Sequence, residues 1–484
     1  MGNADAIFYF FPIWKLAVEQ IKNGQLPLWN PYSYSGMVLF AQWGPGLLDP
    51  FNWIHLLGPN SRTLTIANQA SFSVALLGMY SFARHLGMVR RASIISAVIY
   101  GLSGYVVARV IYPGLFHIYA LTPLVLLYIE CLYQKGYWRY VVYGGLIVAW
   151  QIFAGHPQPF IYSSLLAAAY AMFCAFLRRN QYPDHQSETE KIPAEKESLQ
   201  FSQVERFRFL IRCSMMFVLG IALSAIQLIP ALEMGSQSVR QRVTYDFFGA
   251  NSLHPITLLT AIFPFFFGGG KTIYDLPFWG GHIYWGPNEI QIYLGVLALS
   301  LAISAALCLW RESSRIILFW SIIFISACLL VLGKYVGPLA WAIYQVPFLN
   351  QFRSPNRHWM EVVLATALLA GYAVNQILRG GAQTIARGLQ IVAAGLTFIT
   401  IMVGIFIIWR RDQAEGLIRG LPDMSSLTHG FLRQGGAEFY LPIISSICLL
   451  LVLVVFVRTK SHDKWYLLLL ASLIIDFYLY AAFA

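Results

Sequence analysis

Long apolar runs follow one another along this 484-residue chain, and they constrain its fold more than any other feature. A run of about 17 to 25 apolar residues crosses roughly 30 Å of hydrocarbon as a helix, because inside lipid the backbone must satisfy its own hydrogen bonds. Such spans are expected near 63–83, 92–110, 115–133, 139–155, 159–177, 208–231, 289–309, 315–333, 358–378, 388–409, 439–457 and 464–483. The expected fold class is therefore an all-α polytopic membrane protein of about 12 transmembrane helices, with short helices in its outer loops. A thirteenth span is expected ahead of Asp5, since the first loop would otherwise have no means of export.

Composition agrees, with 58% hydrophobic and only 11% charged residues. The net charge of +11 could suggest a nucleic-acid partner. The Lys and Arg residues, however, sit in short clusters between apolar runs, as the positive-inside rule requires, so the basic balance reports topology and the partner is the bilayer. Alternate connections carry Arg84, Arg90 and Arg91; Lys135 and Arg139; the run 178–207; Arg311 and Arg315; Arg379 and Arg387; and Arg458, Lys460 and Lys464. Lys and Arg are roughly 3.6-fold denser there than in the other set, which makes the first set cytoplasmic. The chain then divides into a first outer loop 1–62, an N-terminal helical part 63–232 with the cytoplasmic loop 178–207, a second outer loop 233–288, and a C-terminal part 289–484 with outer loops 334–357 and 410–438. The polar run 178–207 reads as a disordered connector. The six cysteines fall in or beside apolar spans without a CxxC pair, which speaks against a disulfide framework or a structural zinc site.

Polar chemistry is confined to a few outer segments. Asp5 precedes an aromatic run and is either a solvated interfacial acid or a general base or metal ligand beside a lipid-linked substrate. The stretch Gly24 to Gly36 (GQLPLWNPYSYSG) cannot be continuous helix, because Pro27 and Pro31 interrupt it. Its Trp29, Tyr32 and Tyr34 suit either the headgroup layer or stacking on sugar rings. Asp49, before a proline, is expected to cap a turn or helix. In Ala154 to Pro159 (AGHPQP), non-helical backbone at the outer boundary must line a cavity or be buried, which would turn His156 and Gln158 inward.

Arg240 and Arg242 could meet a phosphate or lipid headgroups. Glu289 reads as the start of the seventh span, where a carboxylate suits the helix dipole. The segment Val346 to Trp359 (VPFLNQFRSPNRHW) places Arg353 and Arg357 four apart across Pro355, with His358 and Glu361 after them. Two arginines on the side where cations are disfavoured suit bidentate capture of phosphate. Asp476, inside the last span, is either functional or an interhelical hydrogen-bonding group.

In their order, Asp5 with its aromatic-Pro run, GQLPLWNP with Gly36, GHPQ at 155–158, Glu289 before Tyr293-Leu294-Gly295, and RSPNR at 353–357 resemble the bacterial YfhO family, which is similar to GT-C glycosyltransferases. The resemblance covers about residues 1–361. It implies a GT-C-like fold in a bacterial plasma membrane, an active site on the outer side and a polyprenyl-phosphate-linked sugar as donor, with a divalent metal as an option at Asp5. On it, Asp5 is the catalytic acid of the first loop, and Arg353, Arg357 and Arg240 hold the donor phosphate. Trp29, Asn30, Tyr32, His156, Gln158, Glu289 and His358 line the acceptor cavity, and the acceptor is an envelope glycan, polymer or lipid. A flippase of lipid-linked sugars and a noncatalytic assembly scaffold are the alternatives. The first predicts inverted repeats and midplane charges or broken helices.

Overall fold

The computed structural model describes residues 6–178, 202–237, 243–264, 289–309, 315–347, 349–380 and 462–483, with scattered positions between 385 and 452. The expected spans 388–409 and 439–457 and the connector 178–207 fall wholly or largely outside these residues. Helices dominate: α1 Phe11–Lys22, α2 Ser61–His85, α3 Arg90–Leu102, α4 Gly104–Arg109, α5 Pro113–Lys135, α6 Trp138–Phe153, α7 Pro157–Met172, α8 Gln203–Leu223, α9 Ala225–Ser236, α10 Tyr245–Phe248, α11 Val296–Leu309, α12 Arg315–Val331, α13 Gly337–Tyr344, α14 Trp359–Leu378 and α15 His462–Phe483. Two-residue strands, β1 Trp29–Asn30 and β2 Met37–Val38, pair antiparallel in the first loop. Five described spans are long and apolar enough to cross a membrane, or up to seven when two bent helix pairs are each counted as one. The chain is a multi-pass membrane protein.

Helix α14 is the axis of the bundle. It is apolar on all sides and buried along nearly its whole length, packed by α3, α11 and α12, as expected for a helix without a lipid-facing stripe. Helix α2 packs on α3 and α5, and α6 on α8. Small residues allow these close approaches: a Cβ on Gly144 would lie 2.2 Å from Met216 Sδ, and one on Gly371 would lie 1.9 Å from Ser96 Oγ. Inside α5, Pro123 removes the N–H that would bond Tyr119 O. The Tyr100 hydroxyl donates to that carbonyl instead, at 2.6 Å.

Several of the described basic connections are cross-linked to one another. Arg379 donates to Gly87 O, Arg315 to Leu177 O, and Gln134 to His85 O. Arg178 pairs with the buried Glu130 carboxylate, which also accepts from Tyr170. The long loops pack on one another and build the site.

Two spans, 92–110 and 208–231, are broken where the sequence reads as continuous helix, and a third helix pair bends at the expected boundary of the span 315–333 with its outer loop. The span 92–110 divides at Ser103, α8 and α9 meet at 75°, and α12 and α13 at 106° around Gly333. The span expected at 289–309 becomes helical only at Val296. Its first residues are not α-helical and lie beside the α3/α4 break, where each supplies what the other lacks: Gly104 N–H donates to Tyr293 O, and Arg109 to Gln291 O at 2.9 Å. Glu289 is thus not at a helix start, contrary to expectation, and the helix dipole does not explain it. The first loop also holds a helix the apolar pattern did not mark: α1 buries Ile13, Trp14, Ala17 and Val18 against the loop.

Candidate active site

The segment 353–358 is the centre of the loop-rich end. Ser354 adopts φ +68°, a strained value for a residue with a side chain. Its surroundings hold it there: Ser354 N–H donates to Ala250 O at 2.9 Å, Asn251 donates to Ser354 Oγ at 3.0 Å, and Gln158 donates to Arg353 O at 2.6 Å. The turn leads into a 3-10 helix, Pro355–His358, placing Arg353 before it and Arg357 within it.

Arg357 bonds two of the expected site residues directly. Its Nη1 donates to Gln158 Oε1 at 2.7 Å and to His156 Nε2 at 3.0 Å. An arginine cannot accept a hydrogen bond, so His156 presents a bare Nε2 and is neutral with its proton on Nδ1. Asn356 donates to Glu289 at both Oε2 (2.7 Å) and the backbone oxygen (2.8 Å). Burial by itself raises the Glu289 carboxyl. Arg357, Arg109, the Asn356 hydrogen bond and Arg353 together outweigh it and hold the group below the ordinary carboxylate value, hence ionised. His358 stacks on Tyr162 with ring centroids 3.6 Å apart and hydrogen-bonds Glu361 at 3.1 Å. Three guanidinium groups, Arg109, Arg353 and Arg357, therefore act on the one carboxylate Glu289, while the nearby Glu361 is engaged by His358.

Beside this cluster lies an apolar cavity of about 220 Å³ between α7, α12 and α13. Tyr162, His358 and Pro355 form its polar end, while Leu165, Leu330 and Ile343 are among the residues along its walls. The cation cluster and the apolar cavity thus share the 353–358 segment.

The first loop reaches the same region through backbone contacts. Gly155 has φ +86°, and a Cβ there would lie 2.1 Å from Trp43 O; Trp43 Nε1 donates to Ile152 O at 2.6 Å. Phe10, Phe11, Gly44, Pro45, Asn52, His55 and Gly114 line a small adjoining cavity, and Gly114 packs against Ala154 O and near His156. Burial, reinforced by nearby His117, pushes His55 down to about 4.

Other expected residues stand elsewhere. Asn30 is a turn former, accepting from Tyr32 N–H at 2.9 Å and donating to Ser33 Oγ at 3.2 Å. The Trp29 ring covers Gly36, where a Cβ would come within 2.3 Å of it, and Tyr32 and Tyr34 stand exposed at the hairpin tip. Asp49 caps the turn Pro50–Leu57 as expected, through Phe51 N–H. It is also fully buried and holds His117 and Trp150 (2.8 Å), tying the loop to α5 and α6. Asp476 accepts from the Tyr293 hydroxyl at 2.6 Å, a bond from the last helix to the non-helical run before Val296 and not between two helices as expected. Asp5, Arg240 and Arg242 lie outside the described residues. Among the described residues no three of His, Cys, Asp or Glu come together as metal ligands.

Sequence reading missed Arg109, His117, Trp150 and Tyr105. Arg109 lies 4.0 Å over the Tyr105 ring, and Tyr105 Oη donates to Arg357 O at 3.2 Å. A lone arginine and a lone histidine inside apolar spans were the available signals, since lipid-embedded polar groups face protein partners.

No family model matches this chain, and no curated protein matches it. Among solved structures it is similar to the crystal structure of ArnT from Cupriavidus metallidurans bound to undecaprenyl phosphate, with 9% identity and a TM-score of 0.50 over 99% of this chain and 75% of that one. At that identity the likeness is one of fold, and the fold is GT-C-like.

Proposed function

We propose that this protein is a membrane glycosyltransferase of the YfhO type, moving a sugar from a polyprenyl-phosphate donor to an acceptor in the cell envelope on the outer face of a bacterial plasma membrane. The observation that carries this reading is the shared wall between the Arg357 cluster and the apolar cavity. A lipid phosphate needs a cationic head site next to an apolar slot, and a soluble sugar phosphate has no use for the slot. A solved protein of the same fold binds undecaprenyl phosphate.

The chemistry requires that the bond from the sugar's anomeric carbon to phosphate oxygen breaks while one to an acceptor hydroxyl forms. The hydroxyl proton passes to a base, and the lipid phosphate leaves with its electron pair. Arg357 and Arg353 stabilise the developing phosphate charge in a partly buried site, where such stabilisation is large. Arg240 is a further candidate for that role. Glu289 and His156 face the acceptor, and neutral His156 can take a hydrogen bond from an acceptor hydroxyl. Asp5 is the proposed base. The chain just after it, Phe10 and Phe11, shares the small cavity with Gly114, which abuts His156. Trp29, Tyr32 and Tyr34 are proposed to meet headgroups or the acceptor glycan.

Broken spans favour a second reading, a flippase. The break at Ser103, however, is packed: a Cβ on Gly104 would lie 2.5 Å from Tyr293 Cβ and 2.9 Å from the Tyr480 ring. A filled break opens no path. The test is transfer of labelled sugar from polyprenyl-phosphate donors in proteoliposomes, with Asp5→Asn and Arg353→Ala alongside. Transfer by the native protein, abolished in the first variant and weakened in the second, is expected. Full transfer by Asp5→Asn removes the catalytic assignment, and lipid-linked sugar crossing the bilayer without a new glycosidic bond overturns the reading.

A further inference from the structure

We infer that the site reads the phosphate and only the one or two isoprene units nearest to it, and is indifferent to the total length of the lipid chain. The inference rests on the lipid-phosphate reading and deepens it.

The apolar cavity encloses about 220 Å³. With roughly 30 Å³ for each water-sized group, a five-carbon isoprene unit occupies on the order of 130–150 Å³, so the cavity holds one unit and part of a second. Its inner end is closed by the Tyr162 and His358 rings, stacked face to face beside Arg357. Its outer lips are Leu165 on α7 and Leu329 on α12, which are 50% and 42% exposed. Both helices belong to expected membrane spans, so the cavity opens sideways into hydrocarbon. Helix α13, folded back by 106° at Gly333, forms the remaining wall through Leu339, Ala340 and Ile343.

A tail longer than two units must leave between Leu165 and Leu329 and lie in the bilayer. There it exchanges one hydrocarbon contact for another, because lipid tails are as apolar as leucine side chains. Units inside the cavity add affinity, at about fourfold for each buried methylene. Units outside add none.

The test uses the full chain in lipid nanodiscs with labelled undecaprenyl phosphate. It is displaced by C10, C15 and longer prenyl phosphates, with affinities expressed per mole fraction of ligand in the bilayer. The expected result is agreement within about threefold from C10 to C55, since only the enclosed units contribute. Ala340→Phe, which fills the cavity, weakens all lengths together by about tenfold or more. An affinity that climbs more than about tenfold between C15 and C55 overturns the inference while leaving the lipid-phosphate reading intact. Native-like binding by Ala340→Phe overturns it too, because the tail then lies elsewhere. Absence of undecaprenyl phosphate binding, or displacement by farnesol as effective as by farnesyl phosphate, overturns the lipid-phosphate reading itself.

Discussion

Replacing Arg357 by methionine is the most direct test of the proposed phosphate site. Methionine keeps an unbranched side chain of related length but removes the charge and all donors. In the native protein Nη1 serves both Gln158 and His156, while Nε and Nη2 hold no hydrogen bond to a described residue and remain able to bind an anion in a fork. Losing one charge-assisted bond to phosphate, worth about 1.5–3 kcal/mol, should weaken polyprenyl-phosphate binding by roughly 10- to 150-fold, and losing two by more. Arg357→Lys keeps the charge without the fork and should fall between. The turn itself should survive, because Gln158 still donates to Arg353 O, and the cross-links among the basic connections are remote from the change. The assay is lipid-phosphate titration in nanodiscs, with thermal unfolding of each variant as the control for folding. An Arg357→Met protein that unfolds at the native temperature and binds within about threefold of native would refute the assignment.

Two further outcomes follow from the geometry of the first loop. Gly155→Ala should destabilise the protein by about 2 kcal/mol or more, since φ +86° and the 2.1 Å approach of Trp43 O both exclude a Cβ; an unchanged unfolding temperature would show that the loop does not pack there. His55, lowered from 6.5 to about 4 in the fold, binds a proton more readily in the unfolded chain. Its contribution to stability is therefore present above pH 6.5 and is lost as pH falls toward 4, with a slope no steeper than about 1.4 kcal/mol per pH unit for one proton. His55→Gln should flatten the acid limb of unfolding temperature against pH in that window, and an unaltered limb would place the effect on another group.

The fold class was legible in the sequence because lipid leaves few options. A backbone that finds no water must close its hydrogen bonds in helices, so apolar length alone located α5, α7, α14 and α15, and Lys and Arg placement picked out connections that meet through Arg379 and Gly87 and through Arg315 and Leu177. Local chemistry was legible as well. Prolines and Gly36 marked the hairpin region as non-helical, Asp49 announced its cap, and RSPNR stood out as cations where topology disfavours them.

What only the tertiary structure decided is which polar groups meet. Breaks in helices carry no apolar signature of their own. The one at Ser103 exists because the non-helical run before Val296 supplies carbonyls to Gly104 and Arg109, residues nearly two hundred positions away. Glu289 left its expected helix start for the same reason, and its ionised state comes from Arg357, Arg109 and Arg353 rather than from any neighbour in sequence. Likewise the 353–358 turn gives His156 and Gln158 their shared partner Arg357, while Trp29 and Asn30, equally conspicuous in the sequence, are drawn into their own hairpin. Residue type sets what a side chain can bind; long-range packing in a medium without water determines what it does bind.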